Sequence, residues 1–452
     1  MTDEQIRIER NELFDPEVDK ALARERVGRE RIVADTPTAS PIRRLLLNSM
    51  FYLPLAAVLG AFITWWLLEP HINDHPVIGG EIALVNAEPF DMPAGIIQLT
   101  VGSQEVLIDP TRLELAPGVN GEPAFASADE LKVGVRIEAA GIPEGHRLAA
   151  SVIRPTVRAE PHGSLEEPRW PLYLLFPLTA ALIAFGLLLA EGITTRNWVR
   201  MIVRTLLGSF LATVFAVLAF FPAGLILLIS QAVLHSEVGK HPDLVVVTVK
   251  NFGLVAFLVQ VACRSAAWAC IGAACGLGMN LVWSTRTQLR NSVVGGALGG
   301  AFGGLFFDPI SRFFESSAFA GGAASRCVGL IAVGLSIGVF VALVERMGRD
   351  AWLRVRTGPL AGKSFILYKT PSIIGNAPQS DVYLYKDAEI DPSHAAIHRV
   401  GTVYEIEDLD TRMGTSVGGN KIRRRRLASG DQIVIGSTIL DFEERQKRTP
   451  AA

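Results

Sequence analysis

Hydrophobic residues along this chain are distributed in two textures. In one they run almost unbroken, over Leu45–Leu68, Trp170–Ala190, Thr205–Leu228, Leu254–Trp283, Val293–Phe307 and Ala324–Val344. In the other they alternate with polar residues between Gly, Pro, Asn and Asp, over residues 71–169 and again over 351–445. Runs that approach or exceed about 20 apolar residues span a bilayer as helices, and short alternating segments between turn residues read as strands. The pattern predicts a multi-domain membrane protein: a polar tail (1–44), a first spanning helix (45–68), a small all-β domain (71–169), a block of five more spans (170–346), a second all-β domain (351–445) and a short tail (446–452). Two runs are overlong. Thr205–Leu234 contains Pro222 and Gly224, which either kink one helix or separate two re-entrant pieces, and the stretch from Val245 through Trp283 carries Arg264. Splitting both gives eight spans; about six is the reading taken.

Composition agrees with the pattern. Charged residues make up 19% and hydrophobic ones 49%, against about a quarter charged in a soluble domain. A net charge of −2 excludes the broadly basic surface of a nucleic-acid binder. The four cysteines lie in apolar runs without CxxC spacing, so they read as packing residues, with neither a disulfide nor a zinc site implied. The first apolar run is too long, and begins too late, for a secretory signal; Trp65 and Trp66 at its end suit an interfacial anchor. Within the tail, Pro16–Val33 could form one surface helix.

Basic clusters in the short loops decide orientation. Arg43 and Arg44, then Arg196, Arg200 and Arg204, then Arg286 and Arg290, then Arg346 and Arg349 all fall on one side when there are six spans. Lys and Arg near span ends mark the cytoplasm. Both termini are therefore expected inside a bacterial inner membrane and residues 71–169 outside. That outer region, with strands such as Val77–Val85, Ile96–Val101 and Val133–Glu138, fits a small OB-like barrel or a sandwich. It lacks an aromatic stacking platform and is acidic, so a spacer or protein-contact role is expected, not nucleic-acid binding.

The last three spans carry glycines at four-residue spacing: Gly272 and Gly276, Gly334 and Gly338, and on the fifth Gly295, Gly299 and Gly303 beside Gly296, Gly300 and Gly304. Such stripes let backbones approach closely, within the chain or in a homo-oligomer. No Gly-Lys-Ser/Thr follows them, which excludes a phosphate loop. Arg264, Asp308 and Arg326 are charged positions inside spans. They are expected to lock three helices as an ion pair or triad; a proton or ion path is the competing reading, and the apolar cytoplasmic halves of the spans speak against it.

The 351–445 region carries recognisable punctuation: Gly375, Asp381, His394-Ala395 with Ile397, Asp408-Leu409, Gly414-Thr415, and Gly430-Asp431 through Gly436, preceded by an expected hairpin over Leu353–Leu367. Together these residues resemble the forkhead-associated (FHA) domain family. The resemblance implies an all-β sandwich that binds proteins through phosphothreonine, with Gly375, His394 and Gly414 as scaffold. It places Asn376, Asp391, Ser393, Arg412, Met413 and Thr415 at the peptide-binding loops. Several depart from the family pattern: Asn376 stands where the family has arginine, Asp391 where it has serine, Pro392 where it has a second arginine, and Met413 where it has asparagine. A phosphate needs guanidinium and hydroxyl donors, so phosphothreonine dependence is expected to be altered or lost, with Ser393 and Arg412 compensating in part. Arg423, Arg424, Arg425 and Arg426, placed in a turn, are a solvated loop, a contact to anionic lipid, or a site for an acidic or phosphorylated partner.

No paired nucleophile and base and no metal constellation stands out, so neither an enzyme nor a cofactor is expected. The reading is a membrane-anchored interaction or signalling scaffold whose cytoplasmic domain recruits a protein partner, phosphorylated or not, as in the bacterial membrane proteins it looks like. The alternative is a channel or transporter component regulated by that domain.

Overall fold

The structure, a computed structural model, describes residues 41–72, 77–87, 89, 92–118, 121–144, 146–156, 170–240, 251–282, 284–314 and 322–445. The expected Pro16–Val33 helix and the 446–452 tail lie outside these residues. The chain divides into two compact units, Ser49–Gly348 and the remainder.

In the first unit six helices are long and apolar enough to cross a membrane. They are α1 (Ser49–Leu68), α2 (Trp170–Thr195), α3 (Trp198–Lys240), α4 (Leu254–Asn280), α5 (Arg286–Phe314) and α6 (Gly322–Met347). A short helix, Pro41–Leu46, precedes α1, so the first span begins four residues later than its apolar run. Pro222 does not divide α3, which continues for 43 residues, roughly 64 Å at 1.5 Å per residue. Proline is tolerated here because neighbouring helices and local adjustment can satisfy the freed carbonyl. Each helix packs on its sequence neighbours, α6 closes on α1, and α2 reaches α4. At the centre, the ring of Trp268 lies 4.9 Å from Phe176 and 6.3 Å from Phe307, among buried Ile183, Leu187, Ile271 and Leu330. Of the tryptophan pair, Trp66 faces outward and Trp65 donates to the Ala323 carbonyl of α6 at 3.0 Å.

The doubled glycine stripe on α5 serves two neighbours at once. A methyl group on Gly296 would stand 2.1 Å from the Gly272 carbonyl oxygen, and one on Gly300 2.2 Å from that of Trp268, both on α4. On Gly295, Gly299 and Gly303 it would meet the Cα atoms of Val341, Ile337 and Val333 of α6 at 2.9, 2.5 and 2.5 Å. Successive residues differ by 100° around a helix, so adjacent stripes open two adjacent faces. Gly334 and Gly338 receive Ala57 and Pro54 of α1 in the same way. The homo-oligomer expected through these glycines loses its surface, since the chain itself occupies every one of the faces.

Of the expected ion pair or triad, the structure forms the pair, between Arg264 and Asp308, without Arg326. Arg264 Nη1 lies 2.8 Å from the Asp308 carboxylate, which is fully buried, and the guanidinium sits 5.0 Å from the Phe307 ring centroid. Arg326 pairs instead with Glu69, Nε to Oε2 at 3.0 Å, tying the end of α1 to the start of α6. Two separate pairs result. The sequence reading missed Glu69 because it closes an apolar run and looks like an ordinary flank.

Between α1 and α2 lies a small barrel of β1 (Val77–Asn86), β2 (Ile97–Val101), β3 (Gln104–Ile108), β4 (Glu114–Leu115), β5 (Arg136–Glu144) and β6 (Arg147–Pro155). Five strands close in the order β1-β2-β3-β6-β5-β1, with β3 and β6 parallel and the other four pairings antiparallel. The two-residue β4 adds to β6. Alternate positions fill the interior with Ile82, Leu99, Val106, Ile108, Ile137, Leu148 and Ile153. Bulges in β1, between Ile82 and Leu84, and at Ala140/Gly141 supply the extra bend that closure requires.

The second unit is a sandwich. Its strands are β7 (Ala351–Val355), β8 (Ser364–Ile366), β9 (Ser372–Gly375), β10 (Val382–Tyr383), β11 (Ala395–Val400), β12 (Val403–Asp408), β13 (Thr415–Val417), β14 (Asn420–Ile422), β15 (Arg424–Leu427), β16 (Gln432–Ile435) and β17 (Thr438–Glu444). One sheet runs β10-β9-β11-β12-β15 and the other β14-β13-β16-β17-β7-β8. Buried Leu353, Ile374, Ile397, Ile406, Ile433, Leu440 and Phe442 fill the space between them. The expected hairpin is β7–β8, and Gly358 (φ 88°) and Gly362 (φ 96°) supply its left-handed turns.

Candidate functional site

Loops after β9, before β11 and between β12 and β13 converge at one end of the sandwich, and His394 joins them. The residue is fully buried. Its Nδ1 accepts from the Asp391 N–H at 3.1 Å, which places the proton of the neutral ring on Nε2. Nε2 then faces the Gly414 carbonyl at 3.3 Å and Thr411 Oγ1 at 3.1 Å. The histidine's own backbone bonds to Ile374 and Leu409. A single ring thus spans the 391 loop and the 411–414 loop, with both nitrogens engaged.

Two carboxylates extend the brace. Asp408 Oδ1 accepts from Thr411 Oγ1 at 2.9 Å and Thr415 Oγ1 at 2.7 Å, and its Oδ2 from the Thr411 N–H at 3.2 Å. Thr415 is completely buried and lies inward with this network, away from the loop face where the resemblance put it. Asp387, nearly buried, takes Ser437 Oγ at 2.8 Å, Thr438 Oγ1 at 2.9 Å and the Glu389 N–H at 3.1 Å. Nothing near Asp387 in the sequence announces this, because its hydroxyl partners lie 50 and 51 positions away. Gly375 is required by proximity: a methyl there would stand 2.1 Å from the Pro392 carbonyl.

Around this scaffold the remaining loop positions take up distinct roles. Asn376 turns its side-chain amide to the Asp387 carbonyl at 3.1 Å, and its N–H donates to the Asp391 carbonyl at 3.1 Å. Asp391 Oδ2 accepts the Arg412 N–H at 3.2 Å, so this carboxylate bridges two loops at the mouth. Ser393 and Arg412 are exposed, and Met413 is half-buried. Gly414 has φ 72°, a left-handed conformation at which Lys421 Nζ comes 3.9 Å from the Cβ position. Lys421 was not singled out in the sequence.

The arginine run occupies an edge strand, not the expected turn. Arg424, Arg425 and Arg426 belong to β15, paired with Glu407, Ile406 and Glu405 of β12, and Arg423 stands just before it. Arg424 Nη2 reaches Glu405 at 2.8 Å, while Arg425 Nη1 donates to the Val417 carbonyl at 2.9 Å. Among the described residues no three of His, Cys, Asp and Glu converge as a metal site would require.

Comparison with known proteins bears on this region. The family model of the FHA domain matches residues 372–436. An oxoglutarate dehydrogenase inhibitor of Corynebacterium jeikeium is 36% identical over 93 residues, which make up 21% of this chain and 64% of that protein. The glycogen accumulation regulator GarA of Mycolicibacterium smegmatis is 33% identical over 93 residues, 21% of this chain and 58% of that protein. The chain thus spans less than two thirds of the length of either relative. Among solved structures, an FHA domain from Chlamydia trachomatis is 28% identical, covering 22% of this chain and 99% of that one, with a TM-score of 0.20. Residues 372–436 of this chain are an FHA domain, carried C-terminal to six helices long and apolar enough to cross a membrane.

Proposed function

We propose that the chain is a membrane-anchored, non-enzymatic scaffold whose FHA domain recruits a protein partner on the cytoplasmic side without the family's usual reading of phosphothreonine. One observation carries the reading: Asp391 presents a carboxylate where the family has a serine hydroxyl, and its bond to the Arg412 N–H holds it at the loop mouth. A phosphate carrying nearly two negative charges would meet repulsion there instead of a donor. Asn376, in the place of an arginine, spends its amide inward on the Asp387 carbonyl. FHA domains are protein-interaction modules, and the two named relatives are an inhibitor and a regulator. These support an interaction role.

Six apolar helices and the arginines of their short loops support an anchor in the bacterial inner membrane with both termini inside. The closed β1-β2-β3-β6-β5 order with parallel β3 and β6 supports an OB-like barrel on the other side, acting as a spacer or protein contact. The transport alternative gains no support from the α4–α5–α6 contacts, where backbone meets backbone.

The test is binding of matched threonine and phosphothreonine peptides to the full chain in phosphatidylcholine nanodiscs. The expected result is no preference for the phosphorylated form, and a preference gained by the triple variant Asn376→Arg, Asp391→Ser, Met413→Asn. A clear phosphothreonine preference in the unmodified chain would overturn the reading.

A further inference from the structure

We propose that Arg412, Lys421 and Arg423 form a carboxylate-binding face beside Gly414, and that the recruited partner presents an extended acidic segment to it. The inference rests on the scaffold reading above and names the chemistry of its partner.

The first observation is where uncompensated positive charge lies. Five basic side chains of the sandwich have acidic partners: Arg354 with Glu443 at 3.3 Å, Arg356 with Asp441 at 3.1 Å, Lys369 with Asp381 at 2.8 Å, Arg399 with Asp350 at 2.9 Å and Arg424 with Glu405 at 2.8 Å. Lys386 lies over the Tyr385 ring, Arg425 donates to the Val417 carbonyl, and, among the described residues, Arg426 stands alone on the Arg424 face. Arg412, Lys421 and Arg423 are exposed and, among the described residues, have no such pair. Arg412 lies on the loop between β12 and β13, Lys421 reaches it, and Arg423 is bonded to the last residue of β12. The Arg412 N–H is held by Asp391 at 3.2 Å, Lys421 Nζ hangs over Gly414, and the Arg423 carbonyl accepts the Asp408 N–H at 2.9 Å. The acids of this neighbourhood are Asp391, Asp408 and Asp410. Asp408 is engaged by two hydroxyl donors, Asp391 holds its carboxylate at the loop mouth while accepting the Arg412 N–H, and Asp410 is exposed on the loop itself.

The second observation concerns shape. Lys421 belongs to β14, the edge strand of its sheet, whose outer backbone groups are available to an extended segment. Cations spaced around a loop and along an edge suit several single carboxylates in succession better than one compact dianion. A bilayer surface fits less well. Side chains alternate along β15, so Arg424 and Arg426 share a face with Glu405 and Glu407 while Arg425 stands on the other. The four arginines therefore do not present one plane to lipid headgroups.

The experiment uses the full chain in phosphatidylcholine nanodiscs and a fluorescent peptide of alternating Glu and Ala, with a Gln–Ala peptide and phosphatidylserine vesicles in parallel. The Glu peptide should bind, weaken as salt rises, and lose at least roughly tenfold in affinity in Arg412→Glu/Lys421→Glu. Arg424→Glu/Arg426→Glu, on the other face, should change it by less than about twofold. An unchanged melting temperature of the first double variant would show that the loss is not unfolding. Three results would overturn the proposal: no binding of the Glu peptide, equal binding by Arg412→Glu/Lys421→Glu, or capture of phosphatidylserine vesicles without the peptide. In each case an absent phosphothreonine preference would leave the scaffold reading standing, whereas a present one would remove both.

Discussion

His394 shows how one side chain can tie two loops together. Both ring nitrogens are engaged, to Asp391 on one side and to Gly414 and Thr411 on the other. Replacing it with alanine leaves the Asp391 N–H and the Thr411 hydroxyl without that partner in a dry interior. A loss of about 3 kcal/mol is expected, read as a lowered melting temperature, with faster amide exchange across 391–414. Thr415→Val is a milder case: it keeps the shape and removes one bond to Asp408, so about 1 kcal/mol is expected. The histidine was legible in the sequence through the resemblance to the FHA family, whose pattern sets it before Ala395 and Ile397. Asp387 was not. A carboxylate between Lys386 and Ala388 looks like any surface turn until the chain brings Ser437 and Thr438 back to it.

At the scale of helices, contact is set by what is missing from the side chains. Gly300→Ala would drive a methyl into the Trp268 carbonyl at 2.2 Å, and overpacking of this kind costs typically 1–3 kcal/mol, on the order of several degrees in a detergent melt. Gly224→Ala on α3 is the control: no atom lies within 4 Å of its Cβ position, so that variant should melt no lower, helped by about 0.5–1 kcal/mol of helix propensity. The Glu69–Arg326 pair makes a second prediction. Either charge removed alone leaves its partner poorly compensated, for about 3 kcal/mol, and the exchanged variant Glu69→Arg/Arg326→Glu should recover much of the loss. The stripes were plain in the sequence; their division between α4 and α6 was not. Spacing fixes which residues share a helix face, but the neighbour on that face is a matter of tertiary order. The same limit hid the partner of Arg326, since Arg326 and Glu69 are 257 positions apart.

For the whole molecule, the proposed topology, in which all six apolar helices cross the membrane, puts the FHA domain on the side of the residues preceding α1 and the barrel on the other. Asn420→Cys, exposed on β14, should react with an impermeant maleimide only after spheroplasts are opened, and Val133→Cys, 63% exposed on the barrel, should react before. The reverse order would invert the topology. The six long apolar helices and both β-regions were readable because unbroken apolar runs and burial on one sheet face leave different periodicities. The position of the arginine run was misread. Four consecutive charges resemble a solvated turn, yet three of them, Arg424, Arg425 and Arg426, pair with Glu407, Ile406 and Glu405 as a strand.

The contacts of Gly296 and Gly300 carry a genetic consequence. Their nearest neighbours are carbonyl oxygens of Gly272 and Trp268, atoms that every amino acid possesses. A lesion at either glycine therefore has no compensating substitution at the point of contact, because no codon change removes a main-chain oxygen. Suppressors of Gly300→Ala, selected for restored abundance, should be scarce at position 268 and should map to residues that shift α4 or α5 as a body.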